Sequence, residues 1–253
     1  MMRYGILHAC ILYHIWRIIG EGSTGTTALR PKERLGTKGR EKAMAFDFKK
    51  EERALYQPKA TPAIVSVGPM RFVCVSGTGD PNEEGGAYAQ AVGALYAVSY
   101  AIKMSKRGDH AIEGYFDYVV PPLEGLWWQE GVSGIDYAHK ESFSWTSLIR
   151  VPDFVGEAEL AWAKEEVMRK KKADASAVGL CNIEEGLCVQ CMHIGPYDTE
   201  PETVLRMHEF AEAQGYALDI TDVRRHHEIY LSDPRRVAPE RTKTVVRHPI
   251  RPL

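Results

Sequence analysis

The sequence predicts an α+β fold in which two βαββ repeats join pseudo-symmetrically around a central ligand cleft. The first observation is that the order strand, helix, strand, strand occurs twice, at about residues 70–152 and again at about 186–250. The second is that one βαββ unit alone leaves apolar sheet surface bare, so two units gain by joining about a pseudo-twofold axis. Pockets in such folds form where the two units meet. We therefore expect the functional residues at this junction.

The composition is that of an ordinary globular protein. Of the 253 residues, 44% are hydrophobic and 26% are charged, and the formal net charge of -2 offers no broad positive field for phosphates. Nucleic acid is therefore not an expected partner. The five cysteines are odd in number and lack the spacing of a disulfide scaffold. This indicates a reducing compartment, so we expect a cytoplasmic protein. The oligomeric state stays open.

Residues 1–43 are expected to lie outside the fold. An apolar stretch reaches Gly20, and a polar, basic stretch rich in glycine follows it. At roughly 16 residues the apolar stretch is short for a membrane span, which needs about 20, and Arg17 interrupts it. No small-residue cleavage site follows, as a signal peptide would require. We expect a disordered extension or a mis-assigned start before a domain of residues 44–253, with a membrane anchor as the weaker alternative.

The first repeat is predicted from β-branched residues and from helical periodicity. Extended chain punctuated by prolines leads to about residue 70, where regular structure is expected to begin. RFVCVSG predicts a strand. AYAQAVGALYAVSYAI has apolar residues at three- and four-residue intervals, as a helix with one buried face requires. GYFDYVV and SWTSLIRV predict the two remaining strands.

The second repeat has the same order of elements. LCVQCMHI predicts its first strand, VLRMHEFAEAQGY its helix, and HHEIYLS and KTVVRHPI its last two strands. Before the helix, Thr199 and Glu202 have the spacing of a capping box, and Pro201 falls where a first-turn proline is tolerated. A connecting helix over about residues 156–172 is expected between the repeats.

A carboxylate and a phenol share one face of the predicted strand HHEIYLS. Because side chains alternate along a strand, Glu228 and Tyr230 point one way, while Ile229 and Leu231 point the other way. If the aliphatic face is core, the polar pair faces either solvent or the cleft. The cleft alternative makes this pair the sharpest candidate for chemistry.

Aromatic residues supply candidate walls for the cleft. Trp127 and Trp128 follow a proline pair between the two predicted strands of the first repeat, and they are either cleft walls or core residues. Tyr197 follows a Gly-Pro break and points either toward the cleft or onto the surface. These alternatives remain open at this stage.

The predicted strand GYFDYVV supplies the opposite wall. Tyr115 and Asp117 would share one of its faces, and Phe116 and Tyr118 the other. A register shift by one residue exchanges the two faces. Asp117 and the nearby Glu124 are therefore weaker candidates for the cleft.

A metal site is not expected. Cys188 and Cys191 form a CxxC, but residues three apart on a strand point to opposite faces, so they are predicted to be buried structural thiols. His226 and His227 are adjacent on a predicted strand and are split in the same way, which disfavours zinc.

Two standard catalytic motifs are incomplete. EGVSGI lacks the second glycine of a nucleophile elbow. The loop SGTGDPNEEGG lacks the GK[ST] ending of a P-loop and carries three carboxylates that would repel phosphates. Serine hydrolase chemistry and nucleotide binding are therefore not predicted.

The strings GYFDYVVPPLEGLWW, MHIGPYDTEP and HHEIYLSDP, in this order and spacing, resemble the GyrI-like small-molecule-binding family in its stand-alone bacterial and archaeal branch. The resemblance spans about Met44 to Ile250. It implies a paired βαββ fold whose cleft accepts bulky, often cationic or planar aromatic compounds. It also implies a buried glutamate on a strand of the second repeat, and Glu228 is the matching residue.

Some stand-alone members of this family are hydrolases that open the cyclopropane ring of DNA-alkylating natural products. The resemblance therefore implies detoxification of xenobiotics, with Glu228 and Tyr230 as the catalytic pair and with no metal or organic cofactor. The ligand-binding residues that we expect are Trp127, Trp128, Tyr115, Tyr118, Trp145, Met192, Tyr197 and Phe210.

Two other functions compete with hydrolysis. The first is a binding protein without turnover, in which Glu228 and the aromatic residues hold an amphipathic cation. The second is a module that binds a protein partner, which we rank last because the aromatic cleft would then have no role. No membrane partner is expected in any of the three.

Overall fold

The structure is a computed structural model that describes residues 44–132, 134–136, 138–233 and 236–253. The extension 1–43 lies outside the described residues, as does Ser133 of the EGVSGI segment. No helix among the described residues is long and apolar enough to cross a membrane.

The described part of the chain contains five α-helices and nine strands, joined by loops and four short 3-10 helices. The helices are α1 (Phe48–Glu51), α2 (Arg53–Tyr56), α3 (Ala87–Met104), α4 (Glu157–Lys171) and α5 (Glu200–Ala213). The strands are β1 (Ala63–Val67), β2 (Met70–Thr78), β3 (Leu123–Gln129), β4 (Phe143–Arg150), β5 (Gly179–Ile183), β6 (Gly186–Ile194), β7 (Tyr216–Leu218), β8 (His226–Tyr230) and β9 (Lys243–Pro252). The predicted α+β fold class is confirmed.

The strands pair antiparallel in the order β1-β6-β9-β8-β3-β4-β2-β5, and β7 pairs with the end of β9. Outward from the junction between β8 and β3, one half of the chain contributes β3, β4 and β2 in that order, and the other half contributes β8, β9 and β6. Strands β3 and β8 lie side by side at this seam. The junction of the two halves is thus a continuous sheet.

The two long repeat helices cover one face of the sheet. Helix α3 packs on β2 and β4, and α5 packs on β6. The strand registers place the residues under both helices on the same face, because paired residues in a sheet point to the same side. The central strands β3 and β8 lie between the helices on this face, which we call the helix-bearing face.

The opposite face is covered by the beginning of the domain. Phe48 of α1, Tyr56 of α2 and Tyr118 pack against Ile229 and Val245 of the central strands. The chain ahead of β2, which the sequence predicted to be irregular, therefore contains two helical turns and strand β1, which pairs with β6. The prediction that regular structure begins near residue 70 was wrong.

The prediction that GYFDYVV forms a strand was also wrong. Within this segment the structure has only a single bridge between Tyr118 and Phe46. Gly114 turns the chain with a φ of 73°, and the rings of Tyr115 and Tyr118 pack against Phe154 instead of across a ladder. The strand of the first repeat at the seam is β3, in the LEGLWWQ sequence that we had interpreted as a connection.

Other expected elements lie close to their predicted places. Helix α4 occupies the position of the expected connecting helix. Pro201 lies in the first turn of α5 as predicted, but the capping box is absent: the Thr199 hydroxyl donates instead to the Pro196 carbonyl, at 2.9 Å. Cys188 and Cys191 are buried in two different core clusters, on opposite faces of β6 as predicted.

Candidate functional site

The candidate site lies at the seam, on the helix-bearing face between α3 and α5. Glu228 of β8 points to this face and is only 9% exposed. Its partner in the sheet is Gly125 of β3. One half of the chain thus contributes the carboxylate, and the other half contributes the strand beside it.

Gly125 makes room for a contact between the two halves. A methyl group in place of its hydrogen would lie 2.7 Å from Trp127 Nε1 and 3.0 Å from the Tyr230 hydroxyl oxygen. With glycine at this position, the Trp127 indole N–H donates to the Tyr230 hydroxyl oxygen at 2.9 Å. Because Gly125 has no side chain, Trp127 can hydrogen-bond to Tyr230 and hold its ring beside Glu228.

Aromatic rings frame the site. The ring of Tyr88, from α3, lies 5.4 Å from that of Trp127 and 5.1 Å from that of Trp145. On the other side, the ring of Tyr197 lies 6.2 Å from that of Tyr230. Such distances are typical of interacting aromatic pairs. The carboxylate of Glu228 is therefore enclosed by rings from both halves.

Three of the rings that frame the site are phenols, and they lie near the Glu228 charge. Burial, and then the charge of Glu228, raises the pKa of Tyr88, Tyr197 and Tyr230 above the ordinary range. The phenols therefore keep their protons at neutral pH and remain hydrogen-bond donors for a carboxylate, a water molecule or a ligand oxygen.

A second carboxylate and a histidine, which the sequence reasoning missed, adjoin Glu228. His226 Nε2 lies 3.0 Å from Glu228 Oε1 and 3.4 Å from Glu200 Oε1. Burial lowers the pKa of His226, but its hydrogen bonds to Glu200 and Glu228 outweigh burial and raise it to about 10. Burial and the Glu228 charge raise the pKa of Glu200. Strand alternation alone places His226 with Glu228, whereas nothing in the sequence connects Glu200 to them.

Further histidines extend this cluster toward the surface. His226 Nδ1 lies 2.6 Å from His248 Nε2, and His248 Nδ1 lies 2.8 Å from His208 Nε2 on α5. Burial and the His226 charge lower the pKa of both His248 and His208. The two outer rings are therefore neutral at pH 7.

The ligand atoms of Glu200, His226 and Glu228 all lie within 4.8 Å of one another, as they would around a metal ion. We interpret them as a hydrogen-bonded cluster, because both ring nitrogens of His226 already have partners. The chemistry that this arrangement supports is proton transfer by a buried carboxylate beside neutral phenols.

The structure brings five of the predicted site residues together on the helix-bearing face. They are Glu228, Tyr230, Trp127, Trp145 and Tyr197. Trp128 points away from this group, because it follows Trp127 in β3. Its indole N–H donates to Glu130, and the Arg225 guanidinium lies over its ring at 4.6 Å.

Four other expected ligand-binding residues lie elsewhere. Tyr118 and Met192 are in the core of the opposite face, where Tyr115 also packs. Tyr115 and Tyr118 are displaced because their segment is not a strand. Phe210 packs between α5 and the strands β6 and β9. The weaker candidate Asp117 forms ion pairs with Lys103 and Lys106 outside the site.

The other weaker candidate, Glu124, belongs to a separate cluster on the opposite face. His227 Nε2 lies 3.0 Å from Glu124, and His227 Nδ1 lies 3.0 Å from Glu185. Arg247 forms an ion pair with Glu185 at 2.5 Å, and the Tyr56 hydroxyl donates to Glu124 at 3.2 Å. We call these five residues the closed cluster, since the N-terminal helices cover it.

A model of the GyrI-like small-molecule-binding domain matches residues 60–251. No curated protein matches the chain.

Three similar crystal structures come from Listeria innocua, and this chain covers 100% of each. One, an uncharacterized conserved protein, is 49% identical over 81% of this chain with a TM-score of 0.77. Two are named hydrolases: one is 47% identical over 81% with a TM-score of 0.75, and the other is 48% identical over 82% with a TM-score of 0.77. The chain therefore belongs to the GyrI-like small-molecule-binding domain family.

Proposed function

We propose that the domain binds bulky hydrophobic or cationic aromatic compounds between α3 and α5, and that it hydrolyses those with an electrophilic cyclopropane ring. The observation that carries this proposal is the buried Glu228 carboxylate, enclosed by indole and phenol groups from both halves of the chain. The hydrolase names of two Listeria innocua structures support a reaction that uses water. A xenobiotic is the proposed substrate, and the cytoplasm is the proposed location.

The proposed step uses Glu228 as a general base. Glu228 accepts a proton from one water molecule as the water oxygen bonds to a ring carbon. The carbon–carbon bond breaks, and its electron pair moves to the conjugated oxygen of the substrate, which then takes up a proton. Tyr230, fixed by Trp127 and protonated at neutral pH, orients the water or that oxygen. The product is an alcohol.

The aromatic residues of the site favour planar or cationic ligands whether or not a reaction follows. Indole and phenol rings attract a cation through their faces, and each contact contributes about 1 kcal/mol. Micromolar affinity corresponds to about 8 kcal/mol, to which these contacts, the Glu228 charge and burial of the apolar ligand surface would all contribute. Because such binding needs no reaction, the rings are equally compatible with the second candidate function, sequestration of the ligand without turnover.

The deciding experiment measures turnover of a cyclopropane-bearing alkylating compound by mass spectrometry. Wild type is compared with Glu228→Gln and with Glu124→Gln, which replaces a buried carboxylate on the opposite face. We expect wild type and Glu124→Gln to form a water adduct beyond one equivalent, and Glu228→Gln to lose at least about 100-fold in rate. Turnover by Glu228→Gln at the wild-type rate would remove the catalytic role of Glu228. Tight binding of intact compound by all three proteins would favour sequestration.

A further inference from the structure

A chain of three histidines runs from Glu228 to helix α5, and the reaction proposed above does not use it. His226 is at the inner end, His248 of β9 is in the middle, and His208 of α5 is at the outer end. His226 and His248 are buried, whereas His208 is half-buried. The three histidines therefore connect the enclosed carboxylates to the margin of the domain.

His226 faces three partners with two ring nitrogens. Its Nε2 faces both Glu228 and Glu200, and its Nδ1 faces His248 Nε2. A neutral imidazole carries one N–H, whereas an imidazolium donates from both nitrogens. Two carboxylates within 3.4 Å of the same nitrogen favour the imidazolium.

The rings of His248 and His208 are arranged to hold this imidazolium in place. A neutral His248 accepts from His226 through Nε2 and donates from Nδ1 to His208 Nε2. Since burial and the His226 charge hold the pKa of His248 well below its ordinary value, the neutral form persists. Each ring in the chain therefore fixes the tautomer of the next one.

We infer that His226 is a positioning residue for Glu228: an imidazolium that bridges Glu228 and Glu200, held in place by His248 and His208. This inference rests on the proposed role of Glu228 as the base. Two buried carboxylates without a cation between them repel each other and retain a proton. The bridge thus keeps Glu228 able to accept a proton from water.

Other titratable groups also face the bridge. From α3, the turn before α5 and β8, the phenols of Tyr88, Tyr197 and Tyr230 face Glu228, and all three stay neutral over the relevant pH range. From β6, His193 lies near Glu200. Its own ring contacts the Thr203 hydroxyl and the Pro196 carbonyl.

The first test needs no variant and no substrate. The ring nitrogens of His226 in the full-length protein are observed by ¹⁵N NMR across a pH series. We expect both nitrogens to carry a proton at pH 7.5 and one to lose it only at alkaline pH. A neutral His226 ring at pH 7.5 would overturn the inference.

The second test removes the bridge. In His226→Gln, we expect the midpoint at which Glu200 takes up a proton to rise, as followed by ¹³C NMR of labelled glutamates. The matched control is His227→Gln, which removes an equally buried histidine between two carboxylates on the opposite face and should leave that midpoint in place. An equal shift in both variants, or none in His226→Gln, would contradict the bridge.

The third test addresses the outer rings. His248→Leu removes the acceptor for His226 Nδ1, whereas His248→Gln retains an oxygen there. We expect His226 to lose its second proton at least about one pH unit lower in the leucine variant, and the glutamine variant to recover most of this difference. Identical titrations in both variants would exclude the role of His248.

These readouts separate the inference from the proposed reaction. If wild type turns over no cyclopropane compound while His226 remains an imidazolium, the hydrolase proposal fails and the bridge stands. If wild type is active and His226→Gln has the same pH profile of kcat/KM, the reaction stands and the bridge fails.

Discussion

His226 and His227 are adjacent in β8, yet they belong to clusters on opposite faces of the sheet. His227 and Arg247 supply cations to the closed cluster and hold Glu185 between them, whereas Glu200 and Glu228 share the single ring of His226. The difference is visible in the pKa values. Although burial raises the pKa of Glu185, His227 and Arg247 outweigh it and lower that pKa to about 2, while the pKa of Glu200 is raised.

The closed cluster therefore has two carboxylates and two cationic side chains, whereas the cluster at the seam has two carboxylates and one imidazole between them. A carboxylate matched by two cations takes up a proton only at low pH. One that shares its cation with a neighbour accepts a proton more readily, which is the property that the proposed general base requires.

The largest effect should come from removing a charge of the closed cluster. Glu185→Gln leaves His227 and Arg247 without their shared carboxylate, and we expect a loss of about 3–5 kcal/mol in the free energy of unfolding. Glu200→Gln, the equivalent change at the seam, should cost less than about 1 kcal/mol, because it removes a charge that burial already disfavours. Urea titrations of both variants measure the difference. Equal losses would erase the distinction between the two clusters.

A smaller effect is expected at the seam itself. In Gly125→Ala, the new methyl group displaces Trp127 or Tyr230, so we expect a loss of about 1–3 kcal/mol in stability together with weaker ligand binding. The control is Gly93→Ala in α3, where the added methyl group meets no atom within 4 Å and should stabilise the helix by about 1 kcal/mol. Thermal unfolding and ligand titration of both variants test this pair. Unchanged ligand affinity in Gly125→Ala would separate the Trp127–Tyr230 contact from binding.

The pH dependence of stability follows from the same charges. The folded pKa values of His226 and His227, about 10 and 9, exceed the ordinary 6.5, so their contribution is complete below pH 6.5 and is lost as the pH rises through 9 and 10. The folded pKa of Glu185 is below the ordinary 4.5, so its contribution is complete above pH 4.5 and is lost as the pH falls toward 2.

We therefore expect these three groups to stabilise the fold most between pH 4.5 and 6.5, with Tm falling on both sides. Thermal unfolding across a pH series checks this expectation. His227→Gln should flatten the alkaline fall, and an unaltered fall in that variant would contradict the assignment.

The smallest effect is expected at Trp128. Because Trp128 points away from the seam site, Trp128→Phe should change ligand affinity by less than about twofold, whereas Trp127→Phe removes the donor to Tyr230 and should weaken binding by about tenfold. Ligand titration measured by calorimetry compares the two. Equal effects would show that the face assignment does not govern binding.

Local sequence patterns predicted the elements whose side chains follow a clear helical or strand periodicity. The periodicity of α3 and the alternation in β8 were sufficient, so the shared face of Glu228 and Tyr230 could be predicted. The strand β3 could not, because a central strand is buried on both faces and its Glu124 and Gly125 look like parts of a connection. Glu200 was missed because only the long-range packing of α5 brings it to His226.

The pairing of β3 with β8 has a consequence for how the protein folds. The Trp127–Tyr230 hydrogen bond joins residues 103 positions apart, so the site cannot exist until both halves of the chain have met. Contacts of such long sequence separation form slowly, because loop closure precedes any gain from pairing. A compound bound across the seam would contact both halves and would therefore stabilise the folded domain by mass action.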